Sequence, residues 1–511
     1  MLLLVASTAH ADVLGRVLRL ADDGTTGTTP AAAPTTQDET LTAWAGTARA
    51  ITLPELLQHA VQHAPSLESA RIDIAIAEAQ IQQTLSRGDW HIDAQIYGSS
   101  SSGYISGLRI DRSTTVGVSV DVSRLLPTGG TITLHGGSEY QRTTSPLNPA
   151  DKLTNWSDRV NATLVQPLMQ GRGRWIYEAN ERRAKLSRDS ATLGKRLAAI
   201  NAVQTVVSAY WDLVLAERTI AITQASLDLA KERLRFTQAG VDGGKVPRSE
   251  LPAVEQIIAT REEDILNAEL AVLDRSIALR RAAGLPIGAG ELGLRVESDV
   301  TEGDSAGGLA DLTERAYTAS PELLQLTKQN AVASLAIEVT ENGLLPQLDA
   351  ALTLGPTSAE STFGSAARDL FRADSFAIQG QLRYQHSIGQ ENVKGRAREL
   401  RENQRKLVVN ELDVRAQIAQ AMAQAVAQME LATRRVKLSE RAIELANQNT
   451  KLEQDRFNLG KSTNFDVLNR LEEMRQAQLR RTQAIIDWQK GRAVVMALTG
   501  DILPSYGIAV Q

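Results

Sequence analysis

The chain repeats itself, and that constrains its fold more than any single motif. Pro65-Ser66-Leu67 recurs as Pro321-Glu322-Leu323, and Ile92-Asp93-Ala94 recurs as Leu348-Asp349-Ala350, both at an offset of 256. Later the offset shrinks. Arg235-Phe236 and Arg456-Phe457 lie 221 apart, while Gly244-Lys245 and Gly460-Lys461 lie 216 apart, as do Gly284 and Gly500. Repetition of this kind means two copies of one structural unit, here about 51–286 and 309–504, with a linker at 287–308 and a tail at 505–511. The first copy holds 35 more residues between Ala94 and Arg235 than the second holds between Ala350 and Arg456. It also holds five more, "AGVDG", between Arg-Phe and Gly-Lys, which predicts a longer turn there.

Each copy mixes two periodicities. A helix is expected from Leu53-Pro54, where proline suits a first turn, and another from Pro65 to about Arg87. Period-two alternation follows over about 90–168: Ile92, Ala94 and Ile96 oppose Asp93, Gln95 and Tyr97. In the second copy, over about 346–385, Phe376, Ile378, Leu382 and Tyr384 oppose Ala377, Gln379, Gln381 and Arg383. The 35 extra residues read as an inserted hairpin. Val116, Val118, Val120 and Val122 alternate with small or polar residues, Pro127-Thr128-Gly129-Gly130 turns the chain, and Ile132, Leu134 and Tyr140 resume the pattern. Such alternation suits a soluble sheet or a membrane barrel with a wet lumen. Few strands set between long helices favour the barrel.

Two very long helices come next, at about 175–240 and 394–459, each spanning roughly 100 Å at 1.5 Å per residue. Val206, Leu213, Ile220, Leu227 and Leu234 recur every seven residues, accompanied by Ala209, Ala216, Thr223 and Ala230. Met422, Met429, Val436, Ile443 and Phe457 do the same, with Ala425, Ala432, Ser439 and Ala446. A sustained seven-residue period implies supercoiling against neighbours. The pattern then breaks at Gly243-Gly244-Lys245 and at Gly460-Lys461, where glycine supplies the backbone freedom for a reversal. Ser249, Asn464 or Asp466 can cap the helices that return. These are two helical hairpin tips, at about 237–247 and 458–463, far from the strands.

Composition removes several function classes. The net charge of −5 does not suggest nucleic-acid binding, and the absence of cysteine excludes disulfides, thiolate sites and a lipidated N-terminal cysteine. His59 and His63 are spaced for a metal pair, but no acid completes a motif and a packing role is preferred. Gly243-Gly244-Lys245 lacks the rest of a phosphate-binding loop. No catalytic residue, metal site or cofactor is expected. Arg172, Arg174, Arg182 and Arg183 flank the strand-to-helix junction, where they face either lipid headgroups or solvent. The start "MLLLVASTAHADV" reads as the remnant of a secretory signal over 1–11, with Ala9-His10-Ala11 as the cleavage site. Residues 12–50, rich in Thr, Ala and Pro, read as a disordered linker.

The order of these elements resembles the TolC-type outer-membrane efflux family (outer membrane factors) over 51–504. "VQPLMQGRGRW" (Val165–Trp175), "AYWDLVLAE" (Ala209–Glu217) and the two Arg-Phe…Gly-Lys phrases carry the resemblance. It implies a mixed α and β fold: a duplicated unit of helix, strand pair and long helical hairpin. Three copies would form a transmembrane β-barrel in the outer membrane, continued by an α-helical coiled-coil barrel in the periplasm. It further implies a passive exit duct of a tripartite efflux or type I secretion system. The tips, with Gly243, Gly244, Lys245, Gly460 and Lys461, would dock a periplasmic adaptor (membrane fusion) protein and an inner-membrane pump. Glu440 and Glu444, one helical turn apart, are candidates for an acidic ring near the entrance, or for an ordinary exposed face. Two features depart from the family: the longer first tip, and the inserted hairpin. If both hairpin strands span, each protomer supplies six strands and a trimer eighteen, against the usual twelve; otherwise the hairpin folds above the membrane. The rival reading is a non-conducting periplasmic coiled-coil scaffold or adaptor, against which the duplicated strand pairs argue.

Overall fold

The computed structural model describes residues 50–105, 108–145, 148–287, 292–296 and 307–508. The signal remnant at 1–11 lies outside them, as does the linker at 12–50 apart from Ala50. The chain opens with strand β1 (Ala50–Ile51), then helices α1 (Leu53–His63) and α2 (Pro65–Leu85). Thr52 closes a capping box with Glu55 at the start of α1. Four long strands follow: β2 (His91–Ile105), β3 (Leu108–Leu125), β4 (Thr131–Ser145) and β5 (Asn148–Pro167). A short helix α3 (Arg174–Tyr177) leads into α4 (Ala179–Asp242), and α5 (Leu251–Ala283) runs back.

The second half has the same order: β6 (Arg295–Val296), α6 (Leu309–Ala319), α7 (Pro321–Asn342), β7 (Gln347–Glu360), α8 (Phe363–Arg372), β8 (Phe376–Gln385), α9 (Glu391–Asn458), α10 (Asn464–Leu498) and a short α11 (Ile502–Ser505). Helices α1 and α6 lie 256 residues apart at both ends, and the ends of α4 and α9 lie 216 apart.

Six strands form one antiparallel sheet in the order β2-β3-β4-β5-β7-β8. The hairpin that the first copy adds supplies its second and third strands. Pro127–Gly130 turns the chain at the helical end of the sheet, where the amide of Gly173 donates to the carbonyl of Thr128 at 2.9 Å. Gly129, with φ +86°, takes a conformation that L side chains rarely adopt. Register puts the alternating residues in rows across the sheet. Ile96, Val118 and Ser138 share one row, and Ile92, Val122 and Leu134 share another on the same face. Val116, Val118 and Val120 are exposed while Gly117 and Ser119 between them are buried, so the sheet curls with its polar face inward.

The helices carry the core. Val206, Leu213, Leu227, Ala216, Thr223 and Ala230 of α4 are buried, as are Met422, Met429, Val436, Ala425, Ala432, Ser439 and Ala446 of α9. The seam therefore packs as its period demands. Toward the tip it is the small series that continues, to buried Thr237 in α4 and buried Glu453 in α9, while Leu234 is only half buried. Among the described residues one helix, α4, holds a window apolar enough to cross a membrane, and half of that window is buried inside the protein.

The inter-repeat segment is not a free linker where it is described. Leu294 is buried in the core under α4 and α5, and β6 pairs in parallel with β1. Ser276 and Arg280 donate to the carbonyls of Leu292 and Gly293, and the amide of Val296 donates to Glu217 at 3.2 Å. Burial pushes the Glu217 carboxyl up from its ordinary range, partly offset by the Val296 amide and by Arg295 and Arg218. A raised carboxyl penalises the folded state above its folded pKa, and the penalty vanishes below its unfolded pKa. Glu217→Gln should thus raise the thermal midpoint of the helical signal at pH 7 and change it little under acidic conditions. An equal shift at both pH values would show that burial of the charge is not the cause.

Candidate functional site

The two hairpin tips are built alike. Gly244 has φ +67° and Gly460 φ +71°. The amide of Lys245 reaches the carbonyl of Gly240 at 2.8 Å, and that of Lys461 reaches Arg456 at 2.9 Å, so both turns close over the same span. The reversal is thus no wider in the first tip, but the connection there is still the longer one, running over 243–250 with a 3-10 turn at Arg248–Glu250 against 459–463 in the second. Gly240-Val241, and not Arg235-Phe236, stands where Arg456-Phe457 stands in the second tip. The shared Arg-Phe phrase is displaced along the helix, leaving Phe236 exposed one to two turns before the reversal. Gly243, Gly244, Lys245, Gly460 and Lys461 all lie in these turns.

The cap of the second return helix is Thr463, which forms a capping box with Asp466. The Thr463 hydroxyl and amide donate to the Asp466 carboxylate at 2.7 and 3.1 Å and hold its pKa below the usual range. Asn464, expected as a cap, is instead fully buried and joins the two hairpins. Its Oδ1 accepts from Arg233 Nε at 2.7 Å and from the Thr237 hydroxyl at 3.2 Å, while its backbone amide donates to Glu250 at 3.2 Å. The Arg233 guanidinium lies 3.8 Å over the ring of Phe457, and burial draws its pKa down, with the charge of Glu250 acting the other way. Further from the tip, Arg261 pairs with Asp264 and Glu472, and Glu472 pairs with Arg475, tying α5 to α10.

The candidate ring acids are both engaged within the protomer. Glu440 meets Arg481 of α10 at 3.0 Å, and Glu444 meets Arg441 at 2.5 Å. His59 and His63 stack at 4.3 Å, and His59 Nδ1 lies 3.1 Å from the carbonyl of Ala283, which gives His59 a packing contact. At the strand-to-helix junction Glu178 pairs with both Arg174 and Arg182.

The inner face of the sheet is polar. Tyr97 donates to Glu139 at 2.6 Å, His135 lies 2.8 Å from Asp121, and Thr163 meets Thr353 at 2.9 Å. The outer face carries Ile92, Ile96, Val160, Leu164, Ile378 and Leu382, all exposed. Along β3, the eight steps from Val116 to Arg124 cover about 27 Å of strand, close to the height of a membrane barrel's apolar band.

A stripe that the sequence reading passed over stands out on α9. Leu431, Leu438, Leu445, Leu452 and Leu459 recur every seven residues and remain 44–71% exposed. Leu229 and Phe236 continue a matching exposed series on α4. The period was readable beforehand. It was masked by the buried seam, which has the same period one step around the helix.

Residues 123–285 match the family model for outer membrane efflux proteins. That span, about a third of the chain, is similar to an outer membrane efflux protein domain. The matched span runs from the end of β3 through the first tip to the end of α5, so it includes three of the four phrases that carried the resemblance, all but the second tip. Solved structures extend the likeness to nearly the whole chain. The outer-membrane channel OprN superposes with a TM-score of 0.65 at 12% identity, covering 88% of this chain and 90% of its own. The Campylobacter jejuni outer membrane channel CmeC gives 0.64 at 13%, covering 88% and 85%. CusC gives 0.62 at 14%, covering 94% and 99%. At these identities the shared property is the fold. No curated protein matches the chain in sequence. The family match and the fold together place this chain in the outer membrane, with its helical part in the periplasm, and support an exit duct for efflux.

Replacing Asn464 by Ala would leave the buried Arg233 guanidinium without its acceptor, at a cost of about 1–3 kcal/mol. Amide exchange should quicken in both tips and stay unchanged in the strands. Equal protection in the variant would mean that the contact does not hold the hairpins together.

Proposed function

We propose that three copies of this chain form a passive outer-membrane exit duct of a tripartite efflux or type I secretion system. The observation that carries the reading is the pair of unpaired sheet edges. Strands β2 and β8 end the six-stranded sheet, and β8 is exposed along its whole length. A bilayer core tolerates no open edge, because unpaired amides and carbonyls find no water there. Pairing β8 of one copy with β2 of the next removes both edges, and three copies close at eighteen strands. Barrel diameter grows with strand number, so this lumen would be wider than the twelve-stranded one usual in the family. The exposed leucine stripe on α9 supports the same assembly, since a seven-residue apolar seam needs a helical partner.

The repeats at about 51–286 and 309–504 would then supply six helical hairpins to one tunnel. The twin tips, carrying Gly243, Gly244, Lys245, Gly460 and Lys461, would dock the adaptor and, through it, an inner-membrane pump. Glu440 and Glu444 remain candidates for an entrance ring whose charge their arginine partners would reduce. The scaffold alternative leaves the large apolar face of the sheet without a purpose.

Purified protein in detergent should conduct after insertion into a planar bilayer, whereas a soluble, non-conducting protein would sink the proposal. Leu438→Glu should convert the trimer to monomer on native mass measurement and abolish conductance. Gly460→Leu should weaken adaptor crosslinking while leaving the trimer intact, because a side chain at φ +71° costs about 1–2 kcal/mol. A Cys at Thr128 should escape an impermeant thiol reagent on intact cells, and labelling there would put the β3–β4 turn outside.

A further inference from the structure

We propose that helix α8 rests in the outer-leaflet headgroup layer and binds a phosphate-bearing lipid through Arg368 and Arg372, with Phe371 inserted beside them. This rests on the barrel reading above.

The helix interrupts the second strand pair, between β7 and β8, at the end of the sheet remote from the long helices. It is a built element: Thr362 accepts the amide of Ser365 at its start, and Ala373 closes its end at φ +54°. It packs on β5 and β7. The ring contacts fix its side of the sheet. Phe363 meets Trp156 edge-on at 5.2 Å, and Trp156 meets Tyr140 at 4.9 Å. Tyr140 pairs with Val116 in register, so the helix lies on the outer, apolar face.

Two observations then agree. First, Tyr140, Trp156 and Phe363 gather in one cluster, as in the aromatic girdle of a membrane barrel. Second, the helix turns an unusual side outward. Ala366 is its fully buried contact with the strands. At helical spacing, Arg368, Phe371 and Arg372 fall together on the side facing away from it. Phe371 is 90% exposed, the most open ring in the described chain, and Arg368 and Arg372 are exposed beside it. A ring in water between two cations has no gain from solvent. Against a bilayer surface the ring enters the acyl boundary while the guanidiniums meet phosphate oxygens. Beneath the helix, β5 and β7 carry a polar pair in register, Asp158 and Ser358. Both are buried, and Asp158 accepts the Ser138 hydroxyl at 2.6 Å. A carboxylate on a lipid-facing row needs cover, and the helix lies over the two strands that hold it.

The chain has no cysteine, so Phe371→Cys gives one labelling site. The trimer carrying an environment-sensitive fluorophore there is reconstituted into phosphatidylcholine vesicles containing lipid A. The emission should shift to the blue, and aqueous iodide should lose its quenching. Lipid A affinity, read by native mass spectrometry of the unlabelled trimer, should fall about thirtyfold in Arg368→Gln/Arg372→Gln, from roughly 1 kcal/mol per arginine. The Lys/Lys variant should keep most of it. A label equally open to iodide in vesicles, or an affinity within about twofold of the unaltered protein in the Gln/Gln variant, overturns the proposal. Displacement of lipid A by millimolar inorganic phosphate also overturns it, since the arginines would then form a plain anion site. Conductance of the same vesicles separates the two failures: conducting vesicles with an open label reject this role alone, and vesicles that never conduct reject the barrel beneath it.

Discussion

A helix of more than sixty residues can lie alongside its partners over its whole length only if small side chains recur at the contact; α4 packs on α2, α5, α7 and α10, and α9 on α7 and α10. Ala216, Thr223 and Ala230 in α4, with Ala425, Ala432, Ser439 and Ala446 in α9, meet that condition and are all buried. The return helices obey it too. Gly491 of α10 sits where an added Cβ would come within 2.7 Å of Met429. Close approach turns each hairpin into a stiff strut, and a stiff strut carries its tip far from the sheet. The rest of the molecule depends on this spacing.

Within that frame the protomer is left incomplete in two places. The sheet ends in two unpaired strands, and α9 shows a leucine stripe to solvent. Both deficits are matched by surfaces of the same chain: one edge by the other edge, one heptad stripe by another. Isologous repair is not available to two edges that differ, so in the proposed assembly the contact would run head to tail and close into a ring. A single interaction geometry would then serve barrel and tunnel together.

The tips show a different economy. The turns themselves are open, with no neighbour near a Cβ at Gly244 or Gly460. Just behind them a buried arginine of α4, an asparagine of α10 and a glutamate just before α5 hold the hairpins to one another. A buried guanidinium without a direct carboxylate partner is costly, and here ring stacking on Phe457 and the Asn464 oxygen offset it. Exposed turns above a fixed base suit a surface that meets another protein.

Much of this was legible in the residues alone. The duplication, the seven-residue seam, the period-two strands and the glycine reversals are local or periodic, and local sterics and the burial of apolar faces dictate them wherever the chain folds. The inserted hairpin was visible for the same reason: valine alternation and a Pro-Thr-Gly-Gly turn need no distant partner. Misreadings arose where similarity of letters stood in for equivalence of place. The Arg-Phe phrase put the first tip's extra residues at the reversal, yet turn hydrogen bonds align the two reversals, and the longer connection of the first tip lies after Gly-Lys, at Arg248–Glu250. What tertiary structure alone decided are contacts between residues far apart in the chain: Arg233 with Asn464, Glu217 with Val296, the polar pair of Asp158 and Ser358. Each is a single polar group that becomes meaningful only once burial denies it water, and no periodicity in the sequence announces which distant atom will replace that water.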